Sequence, residues 1–320
     1  MTPEQQAKLS SIERIQEGFA DLGYICSRRI ATAIYVACQL GKPVLIEGPA
    51  GVGKTELANT TARYLDLPMI RMQCYEGLDE AKALYEWKYA KQLLYTQILK
   101  DKIGEVLEHS ATLADSMNQL HRFSDIFFSE QFLEPRPLLR ALREEHGAVL
   151  LIDEIDKSDQ EFEAFLLEIL SEFQISIPEI GTVSAKSRPF VFLTSNNTRE
   201  MSDALKRRCL HLYVPFPDAK LERKIIQARV PHIPDKLRDQ LVAFVQQVRT
   251  LDLKKQPSVS ETIDWARVLI LLHATSLDAD LVRETLNIFL KFEEDIASVD
   301  QQLYELTRNA VKETAPALHG

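Results

Sequence analysis

The pattern of apolar and polar positions changes twice along the chain. Over residues 9–40, apolar side chains recur every three or four positions, which predicts helix up to the break at Gly41-Lys42-Pro43. Short, continuous apolar runs then follow, each bounded by glycine, proline or acidic residues, as is typical of strands buried on both faces of a parallel sheet. We place these strands at residues 44–46, 148–152, 189–194 and 211–214, with a further strand-like stretch at 69–74.

Between these strands the pattern favours helices, and after Pro215-Phe216-Pro217 it is helical throughout. Residues 174–188 alternate around a turn and predict a β-hairpin. Tyr85, Trp87 and Tyr89 alternate as in a strand and are expected to be buried scaffold. The remaining predicted helices lie at residues 55–65, 92–120, 218–230, 235–250, 260–275, 278–292 and 298–314.

This order predicts an α/β protein with a parallel sheet and a second, smaller all-helical domain. We expect helices at residues 1–40 to lead into a nucleotide-binding domain at 41–217. That domain would carry an insertion around 75–135, and a helical lid would follow at 218–320. The linker at residues 215–217 would be the hinge between the two domains.

Composition narrows the class of protein. The 320 residues carry a formal charge of −9, and the parts before and after residue 217 are both acidic, which argues against binding along a nucleic-acid backbone. The four cysteines are scattered without zinc spacing, as expected of buried thiols in a reducing cytoplasm. We find neither an apolar run of membrane-spanning length nor a secretory signal, so we expect a cytoplasmic protein.

Glycine is scarce, with only 11 residues, yet three of them fall inside a single loop that matches GxxxxGK[ST] between a predicted strand and a predicted helix. Such a loop presents backbone N–H groups to phosphate at a helix N-terminus. Lys54 would reach the β- and γ-phosphates, and Thr55 would place its hydroxyl on Mg²⁺. The alternative is a simple glycine turn. The predicted nucleotide-binding residues here are Gly48, Pro49, Ala50, Gly51, Val52, Gly53, Lys54, Thr55 and Glu56.

The strand at 148–152 ends in two acids that would complete this site. Asp153 would hold Mg²⁺, usually through water, and Glu154 would polarise the attacking water. Two solvated loop acids are the alternative. The neighbouring Asp156 is expected to be a surface acid or a helix-start residue.

Two further elements follow in the chain. Asn196 ends a predicted parallel strand and would orient water near the γ-phosphate, because parallel strands bring their carboxyl ends together; the alternative is an ordinary turn residue. Arg208, ahead of Arg207, would be an arginine finger for the γ-phosphate of a neighbouring subunit. The alternative is pairing with a helix dipole.

These elements, in this order, resemble the AAA+ ATPases, and within them the MoxR-type branch associated with aerobic carbon monoxide dehydrogenase and similar molybdenum hydroxylases. The resemblance runs from about residue 25 to 275. It implies Walker A at Gly48–Thr55, Walker B at Asp153 and Glu154, sensor 1 at Asn196 and an arginine finger at Arg208. The segments that carry it include LIEGPAGVGKTELA, AVLLIDEIDKSDQEFEAFLLEILSEFQISIPEIGTV, FLTSNNTREMSDALKRRC and PFPDAKLERKII.

The resemblance also implies ATP and Mg²⁺ as cofactors, a ring that is a hexamer, and pore elements at residues 75–90 and 174–188. One departure stands out: where the family often places a sensor 2 arginine, residues 258–262 contain none, and Arg267 is over a turn further on. Hydrolysis would then be sensed differently, or the nucleotide would couple weakly to the lid.

The function that we expect is chaperone-like: ATP hydrolysis in a ring remodels a partner protein. The resemblance suggests a partner with a von Willebrand factor A domain and a client metalloenzyme that receives its metal cofactor. Three alternatives stay open, namely a nucleotide-gated scaffold with little turnover, a small-molecule P-loop kinase and a nucleic-acid motor or loader. The acidic charge of both halves counts against the last.

Overall fold

The computed structural model describes residues 2–108, 129–178 and 180–314, with side chains left out at 99–108. Three helices come first: α1 (Pro3–Lys8), α2 (Ile12–Asp21) and α3 (Arg28–Leu40). The expected single helical region over residues 9–40 is therefore wrong. Ser11 and Ser27 each accept a backbone hydrogen bond and start a new helix, and Gly23 turns the chain with a positive φ of 79°.

The central sheet has five strands, all parallel, in the spatial order β2-β5-β8-β1-β9. The predicted strands are confirmed within one or two residues, and the predicted hairpin forms a separate ribbon, β6–β7. A second ribbon pairs β3 with β4. The strands are β1 (Val44–Glu47), β2 (Met69–Gln73), β3 (Tyr85–Trp87), β4 (Leu133–Pro135), β5 (Val149–Asp153), β6 (Gln174–Ile177), β7 (Gly181–Ser184), β8 (Phe190–Ser195) and β9 (Leu210–Tyr213).

Helices cover both faces of the sheet, and each face has its own apolar cluster. This two-sided burial explains why β1 and β5 are apolar without alternation. The helices are α4 (Lys54–Leu65), α5 (Glu80–Leu84), α6 (Tyr89–Glu108), α7 (Pro137–Arg143), α8 (Gln160–Glu172) and α9 (Asp203–Arg208).

The aromatic stretch at residues 85–89 is only partly as expected. Trp87 is buried, and Tyr85 packs edge-on against it with ring centroids 5.9 Å apart. Tyr89 is exposed and opens α6, so the expectation that it is buried scaffold is wrong. The helix predicted at 92–120 begins at Tyr89, and its part beyond residue 108 lies outside the described residues.

The C-terminal residues form helices around a third apolar cluster. At its centre the rings of Trp265 and Phe289 lie 4.4 Å apart, and the Trp265 indole N–H donates to Thr285 Oγ1 at 2.9 Å. The helix predicted at 298–314 is two helices, because the chain turns at Gln302 (φ −107°, ψ 6°). We call residues 218–314 the lid. Its helices are α10 (Ala219–Arg229), α11 (Asp235–Val248), α12 (Val259–Leu271), α13 (Ala279–Phe289), α14 (Glu293–Gln301) and α15 (Leu303–Glu313).

No helix within the described part of the chain is both long and apolar enough to cross a bilayer. The domain boundaries at residues 40 and 217 stay predictions.

Candidate functional site

The glycine-rich loop connects the end of β1 to the start of α4, with Lys54 as the first residue of the helix. Gly48 has a positive φ of 148°, and a Cβ built there would lie only 2.2 Å from the carbonyl oxygen of Val214. Only glycine allows β1 and the segment after β9 to approach so closely. The loop is thus held by backbone packing, and the N-terminus of α4 follows directly behind it.

Lys54 is buried, and its ammonium group lies over the loop. It donates to the carbonyl oxygens of Gly48 and Pro49, both at 2.7 Å. It also donates to Asn196 Oδ1 at 2.8 Å, which joins the loop to the end of β8. Burial lowers the pKa of Lys54, while the charges of nearby carboxylates oppose this shift.

Asp153 ends β5 beside Thr55 and is almost completely buried. The Thr55 hydroxyl lies 3.3 and 3.4 Å from the two Asp153 carboxylate oxygens. Thr194 donates its hydroxyl to Asp153 Oδ1. Arg71, on the neighbouring strand β2, places its guanidinium 2.6 Å from Asp153 Oδ2. A carboxylate and a hydroxyl at one edge of the sheet are oxygen ligands that suit Mg²⁺.

Glu154 follows in the left-handed backbone region, with a φ of 56°. Its backbone N–H donates to Thr194 Oγ1 at 2.9 Å, so the unusual conformation is tied to the next strand. Its carboxylate accepts hydrogen bonds from Lys157 at 2.6 Å and from Gln73 at 2.8 Å. The amide of Asn196 approaches its other oxygen at 3.3 Å. The turn therefore aims Glu154 at the same point that Lys54 and Asn196 face.

Asp156 was expected to be a surface acid or a helix-start residue. The first alternative is wrong and the second is confirmed, because Asp156 lies in the short 3-10 helix Ile155–Lys157. The side chain is buried, and its Oδ2 accepts from the backbone N–H groups of Asn196 (3.2 Å) and Thr198 (3.0 Å) and from the Thr198 hydroxyl (2.6 Å). Burial opposes ionisation, but these hydrogen bonds outweigh it and hold the pKa of Asp156 below its ordinary value. Asp156 thus fixes the loop that carries Asn196.

The lid contacts this site directly. Arg229, at the end of α10, forms an ion pair with Glu56 of α4 at 3.1 Å. At the start of α12, the backbone N–H of Ser260 donates to the carbonyl oxygen of Gly51 at 3.3 Å. A Cβ at Gly51 would come within 2.5 Å of Ser258. The lid therefore rests on the phosphate loop although residues 258–262 contain no arginine.

Arg267, the lid arginine that was considered from the sequence, pairs with its neighbour Asp264 at 3.1 Å on an exposed surface. Unlike Arg229, Arg267 does not line the cavity described next.

Two adjoining cavities lie between the core and the lid. The first, of about 390 Å³, is polar and contains Lys54, Thr55, Asp153, Glu154 and Asn196. The second, of about 320 Å³, is mainly apolar, and its lining includes Tyr24, Ile25, Val214, Pro215, Phe216 and Ile263. Both cavities share Gly51 and Gly53 of the loop, together with Arg229. A polar chamber joined to an apolar one matches the chemistry of phosphates joined to a base.

Arg207 and Arg208 are exposed at the end of α9, and neither pairs with a carboxylate among the residues that the structure describes. They do not line the polar cavity of their own chain. Their assignment as fingers for a neighbouring subunit stays a prediction.

Sequence reasoning brought out the loop, the acids and Asn196, but it missed other residues of the site. Arg71 and Gln73 alternate with buried residues along β2, and Gln73 is paired in register with Asp153. The alternation of polar and apolar residues at 69–73 was therefore the sequence signal that could have identified Arg71 and Gln73 as residues of the site. The sequence gives no comparable signal for Arg229, Tyr24 and Phe216, because these residues come from segments distant in the chain.

The parallel sheet, the phosphate loop and the acid pair define a P-loop nucleotide-binding protein with an αβα core and a helical lid. Residues 43–209, slightly more than half of the chain, match the family described as AAA domain (dynein-related subfamily), and the chain belongs to this family.

Relatives of similar length include uncharacterized proteins of Staphylococcus aureus. SACOL1445 of strain COL and SAB1265c of strain RF122 are each 27% identical over 237 residues, covering 72% of this chain and 76% of theirs. Among solved structures, the Thermotoga maritima RuvB Holliday junction branch migration motor is 18% identical. The match covers 95% of this chain and 83% of that one, with a TM-score of 0.45. A mutant of the same protein is 19% identical at the same coverage, with a TM-score of 0.47.

Proposed function

We propose that this protein is a MoxR-type ATPase that couples Mg-ATP hydrolysis in a ring to the remodelling of a partner protein. One observation carries the catalytic part of this proposal: Lys54, Asp153, Glu154 and Asn196 converge on one polar cavity at the carboxyl edge of the sheet. A cation for the phosphates, a carboxylate for the metal, a carboxylate for water and an amide between them are the groups that phosphoryl transfer to water needs.

Each group has a distinct role in this proposal. Lys54 exchanges the carbonyl oxygens that it now contacts for phosphate oxygens, which as anions are better acceptors for its charge. Thr55 and Asp153 hold Mg²⁺, which neutralises charge on the transferred phosphate when it is bound. Glu154 accepts the proton of the attacking water, and Asn196 fixes the position of that water.

The apolar cavity is the proposed site of the adenine base. The flat rings of Tyr24 and Phe216 lie among its walls, and Phe216 belongs to the linker between core and lid. A base bound there would contact the core and the linker at once, which gives the nucleotide a physical route to the orientation of the lid.

Arg229 is the proposed link between lid and phosphates, in place of the missing arginine at residues 258–262. It lines both cavities, and its present partner, Glu56, lies on the first turn of the helix behind the phosphate loop. A bound nucleotide offers Arg229 a stronger anionic partner than Glu56. We infer that coupling to the lid runs through this residue.

The assembly part of the proposal rests on the sequence resemblance. Arg208, with Arg207 beside it, would act on the nucleotide of the next subunit in a hexamer, because an exposed and unpaired arginine is available to a neighbour. A partner with a von Willebrand factor A domain and a client metalloenzyme complete the proposal. Co-purification with such a partner in the presence of ATP would test this part.

The decisive test is Glu154→Gln. We expect steady-state ATP hydrolysis to fall about 10²- to 10⁴-fold, since a general base contributes about that much, while ATP affinity is retained. Glu161→Gln, an exposed acid on the first turn of α8, is the matched control and should hydrolyse at the wild-type rate.

Equal rates in wild type and Glu154→Gln would contradict the catalytic role. ATP binding and ATP-dependent assembly without turnover in the wild type would instead identify a nucleotide-gated scaffold. A phosphorylated small-molecule product would identify a kinase. Mass in solution with and without ATP, measured on the same samples, tests the ring.

A further inference from the structure

Arg71 lies beside Asp153, the carboxylate that the proposed function assigns to Mg²⁺. Its guanidinium is 2.6 Å from Asp153 Oδ2 and lines the polar cavity together with Thr55 and Lys54. The partner carboxylate is only 5% exposed, whereas the arginine side chain is 54% exposed. The buried carboxylate of Asp153 is therefore paired with a guanidinium that lies on its solvent-facing side.

Both oxygens of Asp153 are engaged. Thr194 donates to Oδ1, Arg71 donates to Oδ2, and the Thr55 hydroxyl lies near both at 3.3 and 3.4 Å. When no metal is bound, Arg71 supplies a partly exposed positive charge beside this carboxylate, in addition to the hydroxyl groups of Thr194 and Thr55. The guanidinium at Oδ2 covers the carboxylate oxygen that would otherwise be available to Mg²⁺ or to one of its water ligands.

We propose that Arg71 is the resident counter-cation of Asp153 and exchanges with Mg²⁺ whenever Mg-ATP binds, so that it sets the metal requirement of the site. This inference rests on the proposed function, because the metal enters with the nucleotide. Arg71 can leave readily, since more than half of its side chain already faces solvent. The exchange replaces one cation by another beside the Asp153 carboxylate.

The same exchange reaches Glu154. Arg71 also donates to Gln73 Oε1 at 2.7 Å, and the amide of Gln73 donates to Glu154 Oε2 at 2.8 Å. When Arg71 leaves Asp153, the amide of Gln73 loses the guanidinium that now fixes its orientation. The arrival of the metal is thereby linked, through one side chain, to the hydrogen bonds of the proposed base.

Two other roles would give different measurements. If Arg71 were mainly a phosphate ligand, its removal would weaken ATP binding both with and without Mg²⁺. If it were mainly structural, its removal would lower the unfolding midpoint and impair both kinds of binding together. Only exchange with the metal lowers the affinity in EDTA while leaving the affinity in Mg²⁺ unchanged or higher.

The test compares the affinity of a fluorescent ATP analogue in saturating Mg²⁺ with its affinity in EDTA, for wild type, Arg71→Gln and Arg71→Ala. In the variants, Asp153 has no counter-cation, so it repels metal-free ATP and binds Mg²⁺ without competition. We expect the ratio of the two affinities to rise by about three- to tenfold in both variants, the scale set by a partly exposed ion pair. The Mg²⁺ concentration at half-saturation should fall by a similar factor.

Arg267→Gln, an exposed arginine paired with Asp264 outside the cavity, is the matched control and should leave the ratio unchanged. A ratio unchanged in the Arg71 variants, a Mg²⁺ half-saturation that rises, or a loss of ATP affinity in both conditions would each overturn the inference while leaving the proposed function intact. Wild-type protein that binds no ATP under either condition would overturn the proposed function itself. Manganese titrated in place of Mg²⁺ and counted by its paramagnetic signal gives a readout independent of the fluorophore.

Discussion

Two arginine–carboxylate pairs of this protein show how different environments give the same contact different properties. In the lid, Arg249 of the segment after α11 meets Glu222 of α10 in two parallel hydrogen bonds of 2.7 Å. In the site, Arg71 meets Asp153 at 2.6 Å. The lid pair is 6% and 0% exposed, while the arginine of the site pair is 54% exposed.

The remaining donors and acceptors explain this contrast. The Arg249 guanidinium also donates to the carbonyl oxygen of Pro257 at 2.8 Å, lies 3.3 Å from the Thr262 hydroxyl and stacks 4.8 Å from the ring of Phe216. Every side of the lid pair is occupied by the protein. The site pair is open on one side, so it can be exchanged for a ligand. A closed pair fixes a structure, whereas an open pair can serve a binding site.

The largest effect should follow from breaking the closed pair. Glu222→Gln or Arg249→Met leaves a buried charge without its partner, and we expect a loss of about 3–5 kcal/mol in the free energy of unfolding. Urea titration followed by circular dichroism measures it. Arg71→Gln, the same kind of loss at the open pair, should change this free energy by about 1 kcal/mol or less. Equal losses at the two pairs would remove the distinction between them.

The next effect on the free energy of unfolding concerns Asp156, a buried carboxylate of the site whose Oδ2 accepts three hydrogen bonds. Asp156→Asn loses hydrogen bonds that depend on charge, and we expect a loss of about 2 kcal/mol in the free energy of unfolding at pH 7. Because the pKa of Asp156 is lower in the folded protein than its ordinary value of 3.8, the ionised carboxylate stabilises the fold above that value.

This stabilisation disappears as the pH falls through the lower, folded-state pKa. The difference in unfolding free energy between wild type and Asp156→Asn should therefore be constant from neutral pH down to about pH 5 and shrink below the ordinary value. Chemical denaturation at a series of pH values measures it. A difference that grows on acidification would show that Asp156 is not held as the anion.

The smallest effect should come from Arg229 and Glu56, an ion pair whose side chains are 35% and 29% exposed. It should add less than about 1 kcal/mol to stability. For ATP affinity the two partners should act in opposite directions. Arg229→Ala should weaken binding about five- to tenfold, because a charged hydrogen bond to phosphate is lost. Glu56→Gln should leave ATP affinity unchanged or raise it, because Arg229 is released from its ion pair. Calorimetric titration of both variants with ATP measures the direction of each change in affinity.

The predictions of strands are confirmed where the sequence pattern is local, whereas the roles of the site residues found from local patterns stay predictions. The loop at residues 48–55 and the acid pair at 153 and 154 follow from contiguous residue patterns, and β1 and β5 follow from apolar runs that only a doubly covered strand tolerates. The break at Gly23 was missed because the apolar spacing continues on both sides of it. One glycine with a positive φ ends a helix without disturbing the pattern around it.

The residues that reasoning from sequence missed are those whose roles depend on partners distant in the chain. Asp156 reads as one more surface acid until the loop after β8 places two N–H groups and a hydroxyl against it. Arg229 reads as an ordinary helix-end cation until α10 packs beside α4. Spacing within one segment cannot encode such contacts, because they depend on how segments distant in the chain pack against each other.

The contact between Gly51 and the start of α12 has a mechanical consequence. The backbone N–H of Ser260 is hydrogen-bonded to the loop that would enclose phosphate. A force on the lid and the binding of a nucleotide to the loop would therefore act on the same contact. If movement of α12 away from the loop weakens nucleotide affinity by some factor, then thermodynamic reciprocity requires that bound nucleotide disfavours this movement by the same factor. Gly51, which has no side chain, would thus be the residue through which a force on the lid changes nucleotide binding in the site.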